Sequence, residues 1–233
     1  MFDFHLHSSF SEDCDTPMEE MVKEAIKKGI KEMCFTEHLD EDYPDPDWTF
    51  DLDFVKYDQK IKEMQRTYGD KIKIRKGIEL GVQPHVLDSY EKITSNEYFD
   101  FIICSMHAAK KKDLHFGEFF KGKSLDQAYE EFYTELFECI KKFKRFNILG
   151  HLDLVTRYKY EDGVGMCLDI IPHLDILKLY KELGGEIITI GSDAHKPERL
   201  AEYYDYSVDL LKNLGFKYVA TFENQQPIFH KLG

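Results

Sequence analysis

Histidine and carboxylate residues occur along this chain in a series of short motifs, and each motif lies at the end of a short apolar run. These side chains offer imidazole and carboxylate ligands without thiolates, which suits Zn, Mn or Fe better than Cu(I) or an iron–sulfur cluster. The choice among those three metals stays open. The motifs are His5-Leu6-His7, Thr36-Glu37-His38, Gly77-Ile78-Glu79, Ser105-Met106-His107, Gly150-His151-Leu152-Asp153 and Gly191-Ser192-Asp193-Ala194-His195.

The elements that must position these motifs are short apolar runs that alternate with longer amphipathic segments, which predicts βα units around a parallel sheet. In a closed parallel barrel the carboxyl ends of the strands face one rim, where barrel enzymes place their active sites. The motifs should therefore converge. Thr16, before Pro17, is the predicted N-cap of the first helix. The predicted strands are 2–7, 31–36, 71–80, 99–106, 146–151, 186–192 and 217–222, and the predicted helices are 17–28, 53–68, 125–142, 172–183 and 199–213.

The composition is that of an ordinary globular enzyme, with 233 residues, 42% of them hydrophobic and 32% charged, and it predicts a single domain over residues 1–233. The net charge of −13 argues against nucleic acid or an anionic membrane as a partner, because both require clustered Lys and Arg. Bound divalent cations would supply the positive charge that an anionic substrate needs. The sequence does not open with a basic stretch followed by a long apolar run, so the cytoplasm is the expected location.

The spacing of His5 and His7 places both imidazoles on the same side of a strand, where they can bind one metal ion. Together with the other motifs, this pair resembles the PHP (polymerase and histidinol phosphatase) superfamily, and more closely its histidinol-phosphate phosphatase branch. The resemblance runs from residue 2 to the segment 222–224. The matching motifs are Phe4-His5-Leu6-His7 with Phe10-Ser11 and Asp13, Phe35-Thr36-Glu37-His38, Gly77-Ile78-Glu79 followed by Gly81-Val82-Gln83-Pro84-His85, Ser105-Met106-His107, Gly150-His151-Leu152-Asp153-Leu154 and Gly191-Ser192-Asp193-Ala194-His195.

This resemblance implies an α/β fold, a distorted (β/α)7 TIM-like barrel of the PHP type, with a trinuclear site for divalent Zn, Mn or Fe. The implied ligands are His5, His7, Glu79 and Asp193 for one ion, Glu79, His107 and His151 for a second, and Asp13, His38 and His195 for a third. Glu12 is the alternative to Asp13. The predicted catalytic residues are Glu79, His107, Asp193 and His195.

The implied activity is hydrolysis of L-histidinol phosphate to L-histidinol and phosphate in histidine biosynthesis. Metal ions about 3.5 to 4 Å apart can share a water or hydroxide and neutralise phosphate oxygens during an in-line displacement. We therefore expect direct attack by a metal-bound hydroxide, without a protein nucleophile. The alternatives are another small phosphoester or nucleotide as substrate, since a fold does not define specificity, or a metal-binding homologue without activity.

Several residues near the motifs have more than one interpretation. His85 and Arg157 are predicted substrate contacts, and each could instead be a solvated side chain. The loop 40–53 is either a solvated excursion or a lid over the site. Asp153 is expected to orient a ligand, and Glu37 to hold His38 or cap a turn. His115, His173 and His230 lie outside the motifs and are expected to be structural or solvated.

The interval between Tyr158 and Pro172 is shorter than the family pattern, in which a further strand and an arginine-containing stretch precede the next helix. One βα unit is therefore missing between about residues 158 and 172. Either the barrel is broken there or the sequence omits residues that the gene encodes. The missing stretch contains none of the predicted metal ligands.

Overall fold

The computed structural model describes residues 1–158 and 172–233 and consists of an α/β fold around one parallel sheet. The predicted missing unit falls on residues 159–171 and so lies outside the described residues. The strands are β1 (Phe2–Leu6), β2 (Glu32–Phe35), β3 (His38–Leu39), β4 (Lys73–Gly81), β5 (Phe101–Ser105), β6 (Ala108–Ala109), β7 (Lys112–Asp113), β8 (Ile148–Leu149), β9 (Tyr218–Glu223) and β10 (Gln226–Lys231). The helices are α1 (Met18–Lys27), α2 (Phe54–Tyr68), α3 (Leu87–Asn96), α4 (Leu125–Lys142), α5 (Leu174–Glu182) and α6 (Tyr204–Asn213).

The main sheet has six strands in the order β1-β2-β4-β5-β8, with β3 also paired to β4, and all of its pairs are parallel. Strand β4 is central and is continuously buried from Lys76 to Gly81. Such burial on both faces is expected for a central strand, since helices cover the faces of parallel sheets. The predicted parallel α/β arrangement is therefore confirmed.

Helices α1 to α4 each bury one face in the same core as residues of this sheet. Helix α1 buries Met18, Met21, Val22 and Ala25, and α4 has a similar apolar stripe behind a capping box between Ser124 and Gln127. The predicted N-cap is wrong, because α1 begins after Pro17 without a side-chain cap. The hydroxyl of Thr16 instead donates to the carbonyl oxygen of His195 at 3.0 Å. Thr16 therefore tethers a predicted site residue.

The predicted strand 186–192 is wrong as a regular strand but right in its position. Residues 185–190 have no strand assignment, yet the amide of Phe4 donates to the carbonyl of Ile190 at 3.0 Å. The amide of Asp193 likewise donates to the carbonyl of His5 at 2.7 Å, and Leu6 forms a parallel bridge with Ala194. These bonds are too scattered for a ladder, but they bring 190–195 alongside β1.

Strand β10 was not predicted, because its Gln-Pro start lacks the alternation of apolar residues that marks a strand. It pairs antiparallel with β9 through a turn at Asn224 and Gln225, both of which have positive φ. That geometry is typical of a two-residue hairpin turn. Within the described residues, no helix is both long and apolar enough to cross a membrane.

Candidate metal centre

Glu79 lies at the centre of the site and is fully buried near the end of β4. The side chain of Ser105, on the neighbouring strand, donates to its Oε1 at 2.6 Å. Nitrogen atoms of five imidazoles surround the carboxylate: His5 Nε2 at 2.9 Å, His7 Nε2 at 3.4 Å, His38 Nδ1 at 3.3 Å, His107 Nε2 at 3.4 Å and His151 Nε2 at 2.9 Å. The predicted convergence of the strand ends on one point is thus present in the structure.

Two glycines allow this close approach. A Cβ added at Gly150 would lie 2.3 Å from the Ser105 hydroxyl oxygen, and one at Gly191 would lie 2.2 Å from the Cβ of His5. Cβ atoms do not approach other atoms this closely in real proteins. A larger residue at position 150 would therefore displace Ser105, which holds Glu79, and one at position 191 would displace His5. The glycines that begin two of the sequence motifs therefore have a packing role.

Asp193 stands on the other side of His5 and His7. Its Oδ1 lies 3.4 Å from His5 Nε2 and 3.2 Å from His7 Nε2. Its backbone has a φ of 53°, a left-handed conformation that aspartate tolerates better than most residues. The hydrogen bond from its amide to the carbonyl of His5 fixes this turn against β1.

A further set of contacts lies around Asp13, whose Oδ2 is 3.2 Å from His195 Nε2 and 3.6 Å from His38 Nε2. Glu12, the alternative in the sequence, is exposed like Asp13, and the contacts of the Asp13 carboxylate favour Asp13. The ring of His7 packs against those of His38 and His195, with centroids 4.2 and 4.3 Å away.

Three groups of side chains are close enough to hold a metal ion, with one ligand atom from each residue within 4.8 Å of the others. The first group has the ligands predicted for the first ion. The second group contains His38 instead of the predicted His151, and the third contains His7 instead of the predicted Asp13. The groups are His5, His7, Glu79 and Asp193; His38, Glu79 and His107; and His7, His38 and His195.

The donor atoms of these groups fit a metal because several are buried without a hydrogen bond. His7 Nε2, His38 Nδ1 and His195 Nε2 make no hydrogen bond, although a carboxylate oxygen lies 3.2 or 3.3 Å from each, and a buried polar atom in that condition is costly. On two of these rings the other nitrogen is held. His7 Nδ1 lies 3.0 Å from the Ser11 hydroxyl, and His195 Nδ1 lies 3.0 Å from the carbonyl oxygen of Asp193. A proton on each Nδ1 leaves the Nε2 lone pair for a cation.

The electrostatics of the cluster favour charged carboxylates. Burial alone would raise the pKa of Glu79, but the imidazoles of His5, His38 and His107 outweigh it and hold the pKa well below its usual range. The pKa of Asp193 is lowered in the same way by His5 and His7, against burial. Burial, and then the neighbouring His7, lower the pKa of His38 to about 4, so this imidazole is neutral and able to ligate at neutral pH.

Glu37 supports the ring of His7 and the backbone of His38, both through Ser11, rather than the ring of His38. Its carboxylate accepts hydrogen bonds from the hydroxyls of Ser8 and Ser11, the latter at 2.7 Å. Because Ser11 donates to Glu37, its oxygen is left to accept from His7 Nδ1 and from the amide of His38, each at 3.0 Å. The motif that contains Ser11 did not predict that its hydroxyl links Glu37 to His7.

Asp153 does not orient His151 as predicted. Its Oδ2 accepts a hydrogen bond from the amide of His173 at 2.9 Å, just before α5. A free amide at a helix start is a strong local donor, which explains why the carboxylate turns there. Asp40 was missed altogether, although it follows His38 at the same spacing at which Asp153 follows His151.

A cavity of about 390 Å³ opens above the cluster. Metal-centre residues form its floor, and the loop 40–53 supplies Tyr43, Trp48 and Phe50 to its wall, so this loop borders the site. Arg157 also lines the cavity, with Nη1 4.0 Å from Asp193 Oδ2. The remaining described lining residues are Asp13, His38, Asp40, His107, His115, Phe116, His151, Leu154, Tyr158, Asp193 and His195.

His85 has the solvated surroundings that were one of its two alternatives, whereas His115 differs from its expected surroundings. His85 is not among the described residues that line the cavity, and its Nε2 lies 2.7 Å from Oδ2 of the exposed Asp42. His115, expected to be structural or solvated, lines the cavity beside Tyr158 and Phe116. No motif in the sequence marked His115, because the β6–β7 hairpin that precedes it is too short to predict.

Comparison with known proteins agrees with this arrangement. The PHP domain family matches residues 3–183, and the chain belongs to that family. The histidinol-phosphatase of Lactococcus lactis is 30% identical over 96% of this chain and 95% of its own length. A probable histidinol-phosphatase of Clostridium acetobutylicum is 25% identical over 93% of this chain and 95% of its own.

The similarity extends to solved structures. The crystal structure of histidinol phosphate phosphatase from Lactococcus lactis, complexed with zinc, L-histidinol and phosphate, superposes with a TM-score of 0.87 at 30% identity. That match covers 97% of this chain and 98% of the other. A putative histidinol phosphatase from Listeria monocytogenes matches with a TM-score of 0.70 at 17% identity, over 88% of this chain and 100% of that one, and shares the fold.

Proposed function

We propose that this chain hydrolyses L-histidinol phosphate to L-histidinol and phosphate. The observation that carries the proposal is the convergence of five imidazoles on the buried Glu79, with three of them, His38, His107 and His151, lining one cavity. The near full-length similarity to histidinol-phosphatases supports the choice of substrate. A step in histidine biosynthesis, in the cytoplasm, is the corresponding cellular role.

We further propose that the curled parallel sheet belongs to a distorted (β/α)7 barrel and that its rim holds three divalent ions, Zn, Mn or Fe. Zinc in the Lactococcus lactis structure supports this type of metal. The proposed ligands are the sequence-predicted set, His5, His7, Asp13, His38, Glu79, His107, His151, Asp193 and His195. Glu79 lies in two of the candidate groups, and its carboxylate, which has two oxygens, is the proposed bridge between neighbouring ions.

Bound divalent ions would activate water as a nucleophile and neutralise the charge that develops on the phosphoryl oxygens. Side chains that line the cavity would hold the phosphoryl group and position the attacking water. None of the described lining residues is a serine, threonine or cysteine, which supports direct attack by water rather than a covalent intermediate on one of these side chains. The aromatic side chains of the loop 40–53 form an apolar wall that limits the access of bulk water.

Phosphate release from L-histidinol phosphate by metal-reconstituted protein tests the substrate, beside a panel of nucleotides and other small phosphoesters. Selective turnover that is lost in His107→Ala is the expected result. His173→Ala serves as the matched control, because His173 is exposed and outside the cavity. Equal or faster turnover of another phosphoester would contradict the assignment of L-histidinol phosphate as the substrate. Full metal loading without turnover would favour a homologue that binds metal without activity.

Arg157 is the cavity arginine whose guanidinium can bind a phosphate oxygen. Replacing it with alanine should raise KM for L-histidinol phosphate by about 10- to 100-fold, the range for a hydrogen bond to a charged group, with a smaller change in kcat. Steady-state kinetics measure both constants. Arg199→Ala, which removes an exposed arginine paired with Glu202, is the control. An unchanged KM would exclude Arg157 from phosphate binding.

A further inference from the structure

Asp40 is a buried carboxylate beside the metal centre, only 5% exposed, at the start of the loop 40–53. Its Oδ1 lies 2.7 Å from Nδ1 of His107. The opposite nitrogen of that ring, Nε2, faces Oε1 of Glu79 at 3.4 Å. A carboxylate that accepts from one imidazole nitrogen fixes the proton there and leaves the other lone pair for a cation. Asp40 is thus placed to set both the tautomer and the orientation of His107.

The second oxygen of Asp40 is also informative. Oδ2 is buried without a hydrogen bond and lies 3.7 Å from Nδ1 of His38, which is itself unpartnered. One carboxylate therefore stands between two histidines, His38 and His107, that share a candidate group with Glu79. A buried carboxylate oxygen without a hydrogen bond costs free energy unless positive charge lies nearby. Its position indicates that Asp40 adds negative charge to the surroundings of the centre.

The backbone holds Asp40 in this place from two sides. Its amide donates to the carbonyl of Phe50 at 3.2 Å, which closes the base of the loop. Its carboxylate occupies the space where a Cβ at position 81 would stand, since that atom would lie 1.7 Å from Oδ1. Gly81 is therefore required for the carboxylate to reach His107.

We propose that Asp40 is a positioning residue that holds His107 as a metal ligand and joins the loop 40–53 to the metal centre. The proposal rests on the metal centre of the proposed function, not on its substrate. Phe50, at the other end of the closed loop base, packs its ring against that of His38 at 5.4 Å. Both ends of the base thus contact imidazoles of one candidate group.

Metal affinity is the test, measured by competition with a chelator of known strength and by the visible spectrum of the Co²⁺-loaded protein. Asp40→Asn keeps the size and an acceptor oxygen but removes the charge. It should weaken metal binding by about 10- to 100-fold, as for other partners of ligating histidines, and should change the Co²⁺ spectrum. Asp47→Asn, an exposed aspartate of the same loop, should leave both unchanged.

Gly81→Ala is the second variant, because it displaces an intact Asp40 from His107. It should weaken metal binding to a similar extent. Thermal unfolding of the metal-free proteins identifies folded variants, and the nearly isosteric Asp40→Asn decides the matter if Gly81→Ala does not fold. Wild-type affinity and spectrum in folded Asp40→Asn would overturn the proposal. Weakened binding in a protein that does not hydrolyse L-histidinol phosphate would uphold it and refute the proposed substrate.

Discussion

Replacing Glu79 with glutamine should abolish phosphate release, with a loss of more than about a hundredfold in kcat/KM. That figure exceeds the loss typical of residues that only support a ligand, because Glu79 is the carboxylate common to two of the candidate groups. Glutamine preserves the shape but removes the negative charge that offsets the surrounding cations. Its amide nitrogen would also face imidazoles at the positions where oxygen atoms now stand 2.9 Å away.

The measurement is phosphate release at saturating metal, together with the metal content of the purified variant. Glu63→Gln, on the exposed face of α2, is the matched control and should behave as wild type. Metal content should fall in Glu79→Gln as well as activity. If the variant kept its metal and more than a tenth of its activity, Glu79 would not be a bridging ligand.

The location of the metal centre could be predicted from the sequence because strand ends are simple to recognise. An apolar run followed by histidine or glutamate marks both the strand and the side chain at its carboxyl end. Glu79, His107 and His151 followed from this rule, and the structure brings them together. The family is likewise confirmed. The assignment of each residue to a particular ion stays a prediction, since the groups in the structure overlap at His7 and His38.

The supporting residues could not be predicted in the same way. Asp40 and Ser11 contact ligands from other segments of the chain, and such contacts depend on how neighbouring strand ends pack. Asp153 illustrates the difficulty. It has the same spacing from a histidine as Asp40, yet its carboxylate turns to the start of α5. A local amide donor decides that choice, and no pattern in the sequence displays it.

The cavity wall was foreseen in part. The loop 40–53 had two alternative interpretations, a lid over the site or a solvated excursion. Its aromatic residues line the cavity. Whether it closes over a substrate stays a prediction. His115 was missed because it lies after a hairpin of two-residue strands, below the length at which alternation can be recognised.

Removing the metal should lower the thermal stability of the protein as well as its activity. A ligand that binds the folded chain alone stabilises it by RT ln(1 + [L]/Kd), about 4 kcal/mol per site at a thousandfold excess over Kd. For a chain of this length that corresponds to a fall in Tm of roughly 8 to 16 °C per fully occupied site. After chelation, one ring nitrogen each of His7, His38 and His195 would be buried without a hydrogen bond.

Calorimetric melts with excess metal and after exhaustive chelation measure this difference, and added metal should restore the higher Tm. His173→Ala should show the full difference, because its side chain is exposed and belongs to none of the candidate groups, whereas Glu79→Gln should lose most of it. The comparison separates binding at the centre from adventitious surface binding, since surface sites would stabilise Glu79→Gln equally. Identical melts of metal-free and metal-loaded wild type would mean that the cluster is stable without an ion, in which case its buried imidazoles would have to be satisfied by water or protons.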